Sequence, residues 1–363
     1  MRFLKLRRSF TPKAGKIAKG YDEKCIWPGY AFNWVIGGIP VLRSLMTEPN
    51  TTPISPEDKR PLVLLTGATG YIGSRLLPLV EQQNVRVRCL ARTPDKLRPQ
   101  AAESTEIAEG DVLDRHSLDA ALTDVTTAYY LVHLMASSSD FEKQDREAAE
   151  NFRAAAKKAR VQRIIYLGGL GEEADPKLSA HLRSRHKVGK ILRASGVETV
   201  EFRASVVIGN GSLSFDLIRS LTDRLPVMVC PRWLATPTQP IAVADVLDYL
   251  FKALDLPPGE SQVFEIGSSD VVTYGQLIRE YARQRKLRRW LFSVPLLTPY
   301  LSSLWLGLVT PATAEVGRHL IEGLRNPTIV RDKKALDVFS IRPVGYRQAI
   351  EQALNESYKE GAG

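Results

Sequence analysis

The chain contains little cysteine. Its three cysteines, Cys25, Cys89 and Cys230, are odd in number and far apart among 363 residues. Their spacing fits neither a disulfide framework nor a zinc site. The sequence therefore predicts a protein without a metal centre that works in a reducing compartment.

The chain also lacks a convincing cleavable signal peptide and any recognisable nucleic-acid-binding motif. The uncharged stretch near the N-terminus, residues 26–42, begins late, is broken by prolines and glycines, and has no clear small-residue cleavage site. We therefore expect residues 1–46 to be retained, the location to be cytoplasmic, and nucleic acid not to be a partner.

Positive charge is concentrated at the N-terminus. The formal net charge of the chain is +10, and residues 1–24 alone contribute +6. The uncharged residues 26–42 that follow include Trp27 and Trp34. Cationic and aromatic residues side by side are typical of a segment that docks on an anionic membrane surface or an acidic partner. A strap packed across the chain's own domain is the alternative.

Residues 61–73 combine an apolar strand with a glycine-rich turn. Leu62 to Leu65 precede Gly67, Gly70 and Gly73, and apolar residues then recur at helical spacing. Backbone N–H groups at a helix start lack partners within the helix, so such a junction binds pyrophosphate. A plain tight turn is the alternative, but a second strand at 85–91 is what a dinucleotide site requires.

The turn also carries a family resemblance. Thr66-Gly67-Ala68-Thr69-Gly70-Tyr71-Ile72-Gly73 resembles the cofactor motif of extended and atypical short-chain dehydrogenases/reductases. Strands and helices alternate after residue 60, which predicts an α/β fold with a doubly wound parallel, Rossmann-like sheet. The resemblance spans roughly residues 62–358 and implies a smaller C-terminal substrate or lid region.

The predicted domain organisation has four parts. Residues 1–46 form a basic, aromatic extension, and the polar, proline-rich residues 47–60 form a linker. Residues 61–212 form the NAD(P)-binding domain. Residues 213–358 supply the remaining Rossmann elements and the C-terminal region.

The cofactor is predicted to be NADP(H) rather than NAD(H). Arg92 follows the second strand, where an acidic residue would bind the ribose of NAD and an arginine accommodates the 2′-phosphate of NADP. A solvated surface arginine is the alternative. The resemblance places Asp111, after the third strand, beside the adenine amino group. The predicted cofactor-binding residues are Thr66, Gly67, Thr69, Gly70, Tyr71, Ile72, Gly73, Arg92, Asp111 and Val112.

The usual catalytic residues of this family are missing. Ordinary members use a Ser at the end of the fifth strand and a Tyr-x-x-x-Lys pair on the next helix. This chain has Gly168-Gly169 and His181-x-x-x-Arg185 instead. A histidine can supply a proton near pH 7 and an arginine can hold an oxyanion or the nicotinamide ribose, so His181 and Arg185 are the candidate catalytic residues. Alternatively, residues 179–187 form a basic helix that faces solvent or a phosphate.

Two further histidines, His133 and His186, are candidates for which a structural role is favoured.

Residues 290–310 carry no charge and directly follow the basic run Lys286-Leu287-Arg288-Arg289. The 21 residues are long enough to cross a bilayer, but Pro295 and Pro299 disfavour a regular spanning helix. Two interpretations stay open. One is a re-entrant or surface-lying segment with Trp290 and Trp305 at the lipid headgroups, and the other is an apolar lid over the substrate pocket, buried within the C-terminal region.

Two functions fit the sequence. The first is an NADP(H)-dependent reductase of an apolar, membrane-derived substrate, in which His181 or water supplies the proton. The second is a non-catalytic NADP(H)-binding accessory or assembly subunit of a membrane complex, because Ser, Tyr and Lys are lost together. Both functions place the chain peripherally at a membrane through residues 1–46 and 290–310.

Overall fold

The computed structural model describes residues 58–134, 140–230, 232–293 and 323–360. The predicted extension at 1–46, most of the linker and residues 294–310 lie outside the described residues.

Strands form where short apolar runs are bounded by turns. β1 reads Leu-Val-Leu-Leu-Thr and is buried throughout, as expected of a strand covered on both faces of a parallel sheet. The strands are β1 (Leu62–Thr66), β2 (Arg86–Ala91), β3 (Glu106–Glu109), β4 (Val125–Tyr130), β5 (Arg163–Gly169), β6 (Glu198–Ala204), β7 (Val207–Ile208), β8 (Val227–Cys230), β9 (Pro237–Thr238), β10 (Ile241–Ala242), β11 (Gln262–Ile266), β12 (Val272–Thr273) and β13 (Trp290–Ser293).

Helices alternate with these strands, and several begin at side-chain caps. Asp114 accepts hydrogen bonds from the backbone N–H groups of His116 and Ser117, and Thr273 and Gln276 form a capping box. The helices are α1 (Tyr71–Glu81), α2 (Pro94–Leu97), α3 (Arg115–Ala121), α4 (Phe141–Lys158), α5 (Ala180–Arg193), α6 (Leu213–Arg224), α7 (Val243–Lys252), α8 (Tyr274–Gln284), α9 (Lys334–Val338) and α10 (Tyr346–Glu360).

Seven strands form the central sheet in the order β11-β6-β5-β4-β1-β2-β3, and all the pairings are parallel. Helices cover both faces. On one face, Leu76 of α1 and Tyr249 of α7 share a buried cluster with the sheet. On the other, Phe152 of α4 and Leu192 of α5 do the same. The predicted doubly wound parallel sheet is confirmed.

A smaller C-terminal region has its own core. Phe215 of α6, Leu277 of α8 and Ile350 of α10 belong to a third buried cluster. The two-stranded pairs β7–β10, β9–β12 and β8–β13 accompany these helices. β11, by contrast, extends the central sheet, because it pairs in parallel with β6.

Strand β6 ends at Ala204, and Val207–Ile208 pair with β10 outside the central sheet. The apolar segment expected at 290–310 begins as β13, which pairs in parallel with β8. Within the described ranges, none of the helices is long and apolar enough to cross a bilayer.

Candidate functional site

A cleft of about 500 Å³ opens at the carboxyl ends of the strands, beside β1 and β4. At this point the strand order reverses, which is where open α/β sheets bind their ligands. The structure brings all ten residues predicted to bind the cofactor into the lining of this one cleft: Thr66, Gly67, Thr69, Gly70, Tyr71, Ile72, Gly73, Arg92, Asp111 and Val112.

The turn between β1 and α1 requires glycine at two positions. Gly67 has φ of +73°, and a Cβ there would lie 2.8 Å from the carbonyl oxygen of Leu131. A Cβ on Gly73 would lie 2.1 Å from the carbonyl oxygen of Gly67. No side chain caps α1 at Gly70, so the first turn of the helix keeps N–H groups for an anion.

The hydroxyl of Thr66 has a structural role. Its Oγ1 donates to the carbonyl oxygen of Tyr129 at 2.8 Å and accepts from the backbone N–H of Leu131 at 3.3 Å. The side chain is fully buried. Thr66 therefore fixes the glycine turn to β4.

Arg92 and Asp111 lie in the cleft lining at the ends of neighbouring strands. The side chain of Arg92 is exposed just after β2. Oδ1 of Asp111 accepts from the backbone N–H of Leu113 at 3.0 Å, and the backbone N–H of Asp111 donates to Oγ of Ser117 at 3.1 Å. The carboxylate is thus held in place, whereas the guanidinium remains accessible.

A second cavity of about 290 Å³ adjoins the cleft. Leucines, valines and glycines from β5, α5 and the C-terminal region make up much of its lining. Six residues line both spaces, namely Tyr71, Ile72, His133, Leu167, Arg185 and Leu213. The two spaces therefore share a wall.

Helix α5 brings His181 and Arg185 to the second cavity, one helical turn apart. Arg185 is only 8% exposed. Its guanidinium donates to the carbonyl oxygens of Val132 and Leu167 and lies 4.9 Å from the ring centroid of Tyr166. Arg185 therefore joins the chain just beyond β4 to β5, and the alternative of a helix whose charges face solvent is wrong for this residue.

His133, a candidate for which the sequence favours a structural role, lines both the cleft and the second cavity. Its Nε2 lies 3.9 Å from Oδ2 of the buried Asp145, and its ring centroid lies 4.9 Å from that of His181. Burial, together with the charges of Arg185 and His181, holds the pKa of His133 well below its usual value. At neutral pH, His133 is thus a neutral imidazole at the shared wall.

Asp145 supports this arrangement from α4. Its Oδ1 accepts from the backbone N–H of Leu134, and its Oδ2 accepts from Oγ of Ser184 at 2.8 Å. The carboxylate links the segment that carries His133 to helix α5.

Two glycines, Gly168 and Gly169, end β5 where the family resemblance implies a serine. A Cβ on Gly169 would lie 2.8 Å from Cδ2 of Leu182, and a Cβ on Gly168 would lie 3.1 Å from the ring of Tyr166. Helix α5 therefore packs closely against the end of β5, and a larger residue at position 169 would displace the side chain of Leu182.

Two buried groups near the site are unsuited to proton transfer at neutral pH. Burial raises the pKa of Tyr166 to about 12, and its hydroxyl donates to the carbonyl oxygen of Arg185. Burial, followed by the charge of Arg203, lowers the pKa of His186 to about 4. Nε2 of His186 lies 3.0 Å from the carbonyl oxygen of Gly169, so His186 ties α5 to β5.

Comparison with known proteins identifies the nucleotide-binding part. Residues 67–207 match a family model described as NAD(P)H-binding. The NADPH-dependent quinone oxidoreductase of Escherichia coli, solved with NADPH, superposes with a TM-score of 0.60 at 19% identity, over 80% of this chain and 98% of that one. That likeness is one of fold.

Two curated relatives are similar in sequence. A 4-hydroxy-2-methyl-3-oxo-4-farnesyl-3,4-dihydroquinoline-1-oxide ketoreductase of Stigmatella aurantiaca is 22% identical over 82% of this chain and 97% of its own length. A ceramide reductase of Caulobacter vibrioides is 27% identical over 47% of this chain. That second match spans 54% of the relative's length. Together with the glycine turn and the sheet order, these findings confirm the predicted cofactor domain: the chain contains an NAD(P)H-binding domain with a Rossmann fold.

Proposed function

We propose that the chain is an NADPH-dependent reductase of an apolar carbonyl compound, a ketone or quinone derived from a membrane. The observation that carries the proposal is the wall shared by the cleft and the second cavity. A hydride donor in the cleft and an acceptor in the cavity would meet across His133, Leu167 and Arg185.

The residues of the cleft fit the cofactor. The glycine turn and the start of α1 suit a pyrophosphate, and Asp111 suits the adenine amino group. Arg92 suits a 2′-phosphate. When bound, NADPH supplies a hydride.

The proton is the contribution of the protein. Reduction of a ketone adds a hydride to the carbonyl carbon and a proton to the oxygen, giving an alcohol and NADP⁺. Reduction of a quinone likewise takes up one hydride and one proton, giving a hydroquinone and NADP⁺. His181, at the cavity wall, supplies this proton and recovers it from water. Neutral His133 donates a hydrogen bond to the carbonyl oxygen, while Arg185 holds the chain just beyond β4 to β5.

An apolar substrate suits the lining and agrees with the names of the relatives. One relative reduces a farnesyl-bearing ketone, and another is named for a ceramide. Side chains such as Leu182, Val206 and Leu324 line the second cavity. They favour a hydrocarbon body next to the reacting carbonyl.

An Arg92→Asp variant is expected to change the cofactor preference. Removing a charge-assisted contact to the 2′-phosphate and adding a like charge should weaken NADPH binding by about 10- to 100-fold, while NADH binding changes little. Titration of both nucleotides by fluorescence measures this. An equal loss for the two nucleotides would show that Arg92 does not contact the 2′-phosphate.

A second function, a non-catalytic NADP(H)-binding accessory subunit of a membrane complex, also has support. Arg185 is engaged with backbone carbonyls, and Gly169 offers no hydroxyl. In either function we place the chain peripherally at the cytoplasmic side of a membrane, through residues 1–46 and 290–310.

Turnover separates the two functions. NADPH oxidation is measured with a panel of soluble naphthoquinones, long-chain ketones and farnesyl-bearing ketones. Reduction of at least one class supports the reductase. Tight NADPH binding without oxidation by any of them would overturn it in favour of the accessory subunit.

A further inference from the structure

Strands β8 and β13 expose an apolar surface. They pair in parallel with Trp290 opposite Val227 and Phe292 opposite Val229. Side chains alternate across a strand, and these four point outward with exposed fractions of 63%, 54%, 54% and 38%, in that order. We call Val227, Val229, Trp290 and Phe292 the β8–β13 face.

The inner side of β8 packs on the C-terminal core, so an apolar outer side is not needed to bury these strands. Met228 and Cys230 are buried in the C-terminal core, as any two-stranded sheet packed on a core requires. The outer side of such a sheet is normally polar. Yet four of the seven exposed large hydrophobic residues in the described ranges lie together on the β8–β13 face. A contiguous patch of this kind marks an interaction site.

Basic residues border one end of this face. Because the two strands are parallel, both begin at the same end, β8 after Arg224 and β13 after Lys286, Arg288 and Arg289. Arg289 donates to the carbonyl oxygens of Thr222 and Asp223. These hydrogen bonds hold the segment that precedes β13 against the segment that precedes β8.

An acidic group at the same end does not cancel this charge. The carboxylate of Asp223 accepts from the hydroxyl of Tyr281 at 3.0 Å and lies 4.0 Å from Nε of Arg285. The side chains of Arg224, Lys286 and Arg288 are exposed. The border of the face is therefore positively charged.

We propose that the β8–β13 face rests on an anionic phospholipid bilayer. An apolar surface with a basic border matches an apolar layer beneath anionic headgroups, and tryptophan favours the boundary between the two. The basic border contacts lipid phosphates. This inference rests on the proposed membrane-derived substrate, for which it supplies the docking surface.

Vesicle binding by the full chain tests the proposal. The probe is a vesicle of phosphatidylcholine and phosphatidylglycerol in equal parts, compared with phosphatidylcholine alone. A Trp290→Ser/Phe292→Ser variant is expected to bind the anionic vesicles at least about tenfold more weakly than the wild type. A matched Val271→Ser/Val338→Ser control removes two exposed valines from elsewhere on the surface and should bind normally.

The design separates this face from the basic N-terminus. Residues 1–46 are unchanged in every variant, so a difference between variants reports the β8–β13 face. Wild-type affinity retained by the face variant would overturn the proposal, as would a wild type that does not bind anionic vesicles. A self-association of the wild type that the face variant abolishes, with vesicle binding intact, would assign the face to a second copy instead.

The depth to which Trp290 enters the bilayer can be measured independently. Brominated lipids should quench the fluorescence of the wild type more than that of a Trp290→Phe variant, and equal quenching would contradict insertion of Trp290. NADPH titration confirms that each variant is folded. NADPH turnover with a soluble naphthoquinone needs no vesicle, so a failure of the proposed reductase activity is distinguishable from a failure of lipid docking.

Discussion

A Gly73→Ala variant is expected to weaken NADPH binding by up to about 100-fold. A Cβ at this position would lie 2.1 Å from the carbonyl oxygen of Gly67, and backbone cannot swing aside as a side chain can. Helix α1 would have to move away from the turn. Overpacking costs up to about 3 kcal/mol, which corresponds to roughly 100-fold in binding when the displaced N–H groups are the binding site.

Fluorescence titration with NADPH and thermal unfolding measure this effect together. A Gly259→Ala variant is the control, because a Cβ there has no neighbour closer than 3.9 Å. It should bind NADPH and unfold like the wild type. If Gly73→Ala binds as tightly as the control, α1 does not need its close approach to the turn and the assigned phosphate site is wrong.

A His181→Ala variant is expected to reduce kcat for ketone or quinone reduction by about 10²- to 10⁴-fold, the usual contribution of a positioned general acid. NADPH affinity should change little, because His181 lines the second cavity and not the cleft. Single-turnover oxidation of bound NADPH measures the chemical step without product release.

Arg183→Ala is the matched control for this experiment. Arg183 lies on the same helix, but its side chain is 46% exposed and donates to Glu142 and to the carbonyl oxygen of Leu178. Its loss should leave kcat unchanged. A His181→Ala enzyme as fast as this control would remove His181 from the reaction and leave water as the proton source.

The cofactor part of the fold follows from local sequence. A positive φ at Gly67 and the close approach at Gly73 are demands that only glycine meets, so their spacing identifies the turn directly. The strands flanking it are continuous apolar runs, and the alternation of elements fixes a parallel sheet. The roles of individual residues toward the cofactor, including Arg92 and Asp111, stay predictions.

The wall shared by the cleft and the second cavity could not be predicted in the same way, because its contacts are long-range. Asp145 and His133 meet only when α4 packs beside the end of β4. The partners of Arg185 are backbone carbonyls, which leave no trace in the sequence. Charge alone therefore suggested a solvent-facing helix.

The β8–β13 pairing was missed for a related reason. Each strand has four residues, and the two lie some sixty residues apart. Trp290 and Phe292 are uncharged like the residues that follow them, so the sequence pattern does not distinguish a strand at 290–293 from the rest of the uncharged segment 290–310. Register with Val227 and Val229 appears only once the strands are paired.

The two hydrogen bonds that Arg185 donates to backbone carbonyls also determine how mutagenesis at this site must be interpreted. Its guanidinium ties the carbonyl of Val132, next to His133, to the carbonyl of Leu167 at the cavity wall. Truncating Arg185 would leave both carbonyls without their donor and let the strand ends separate. The loss of activity in an Arg185→Ala protein would therefore reflect displaced strand ends and would not show that Arg185 takes part in the reaction. Alanine substitution is informative at His181, but it is misleading at Arg185, one helical turn further along α5.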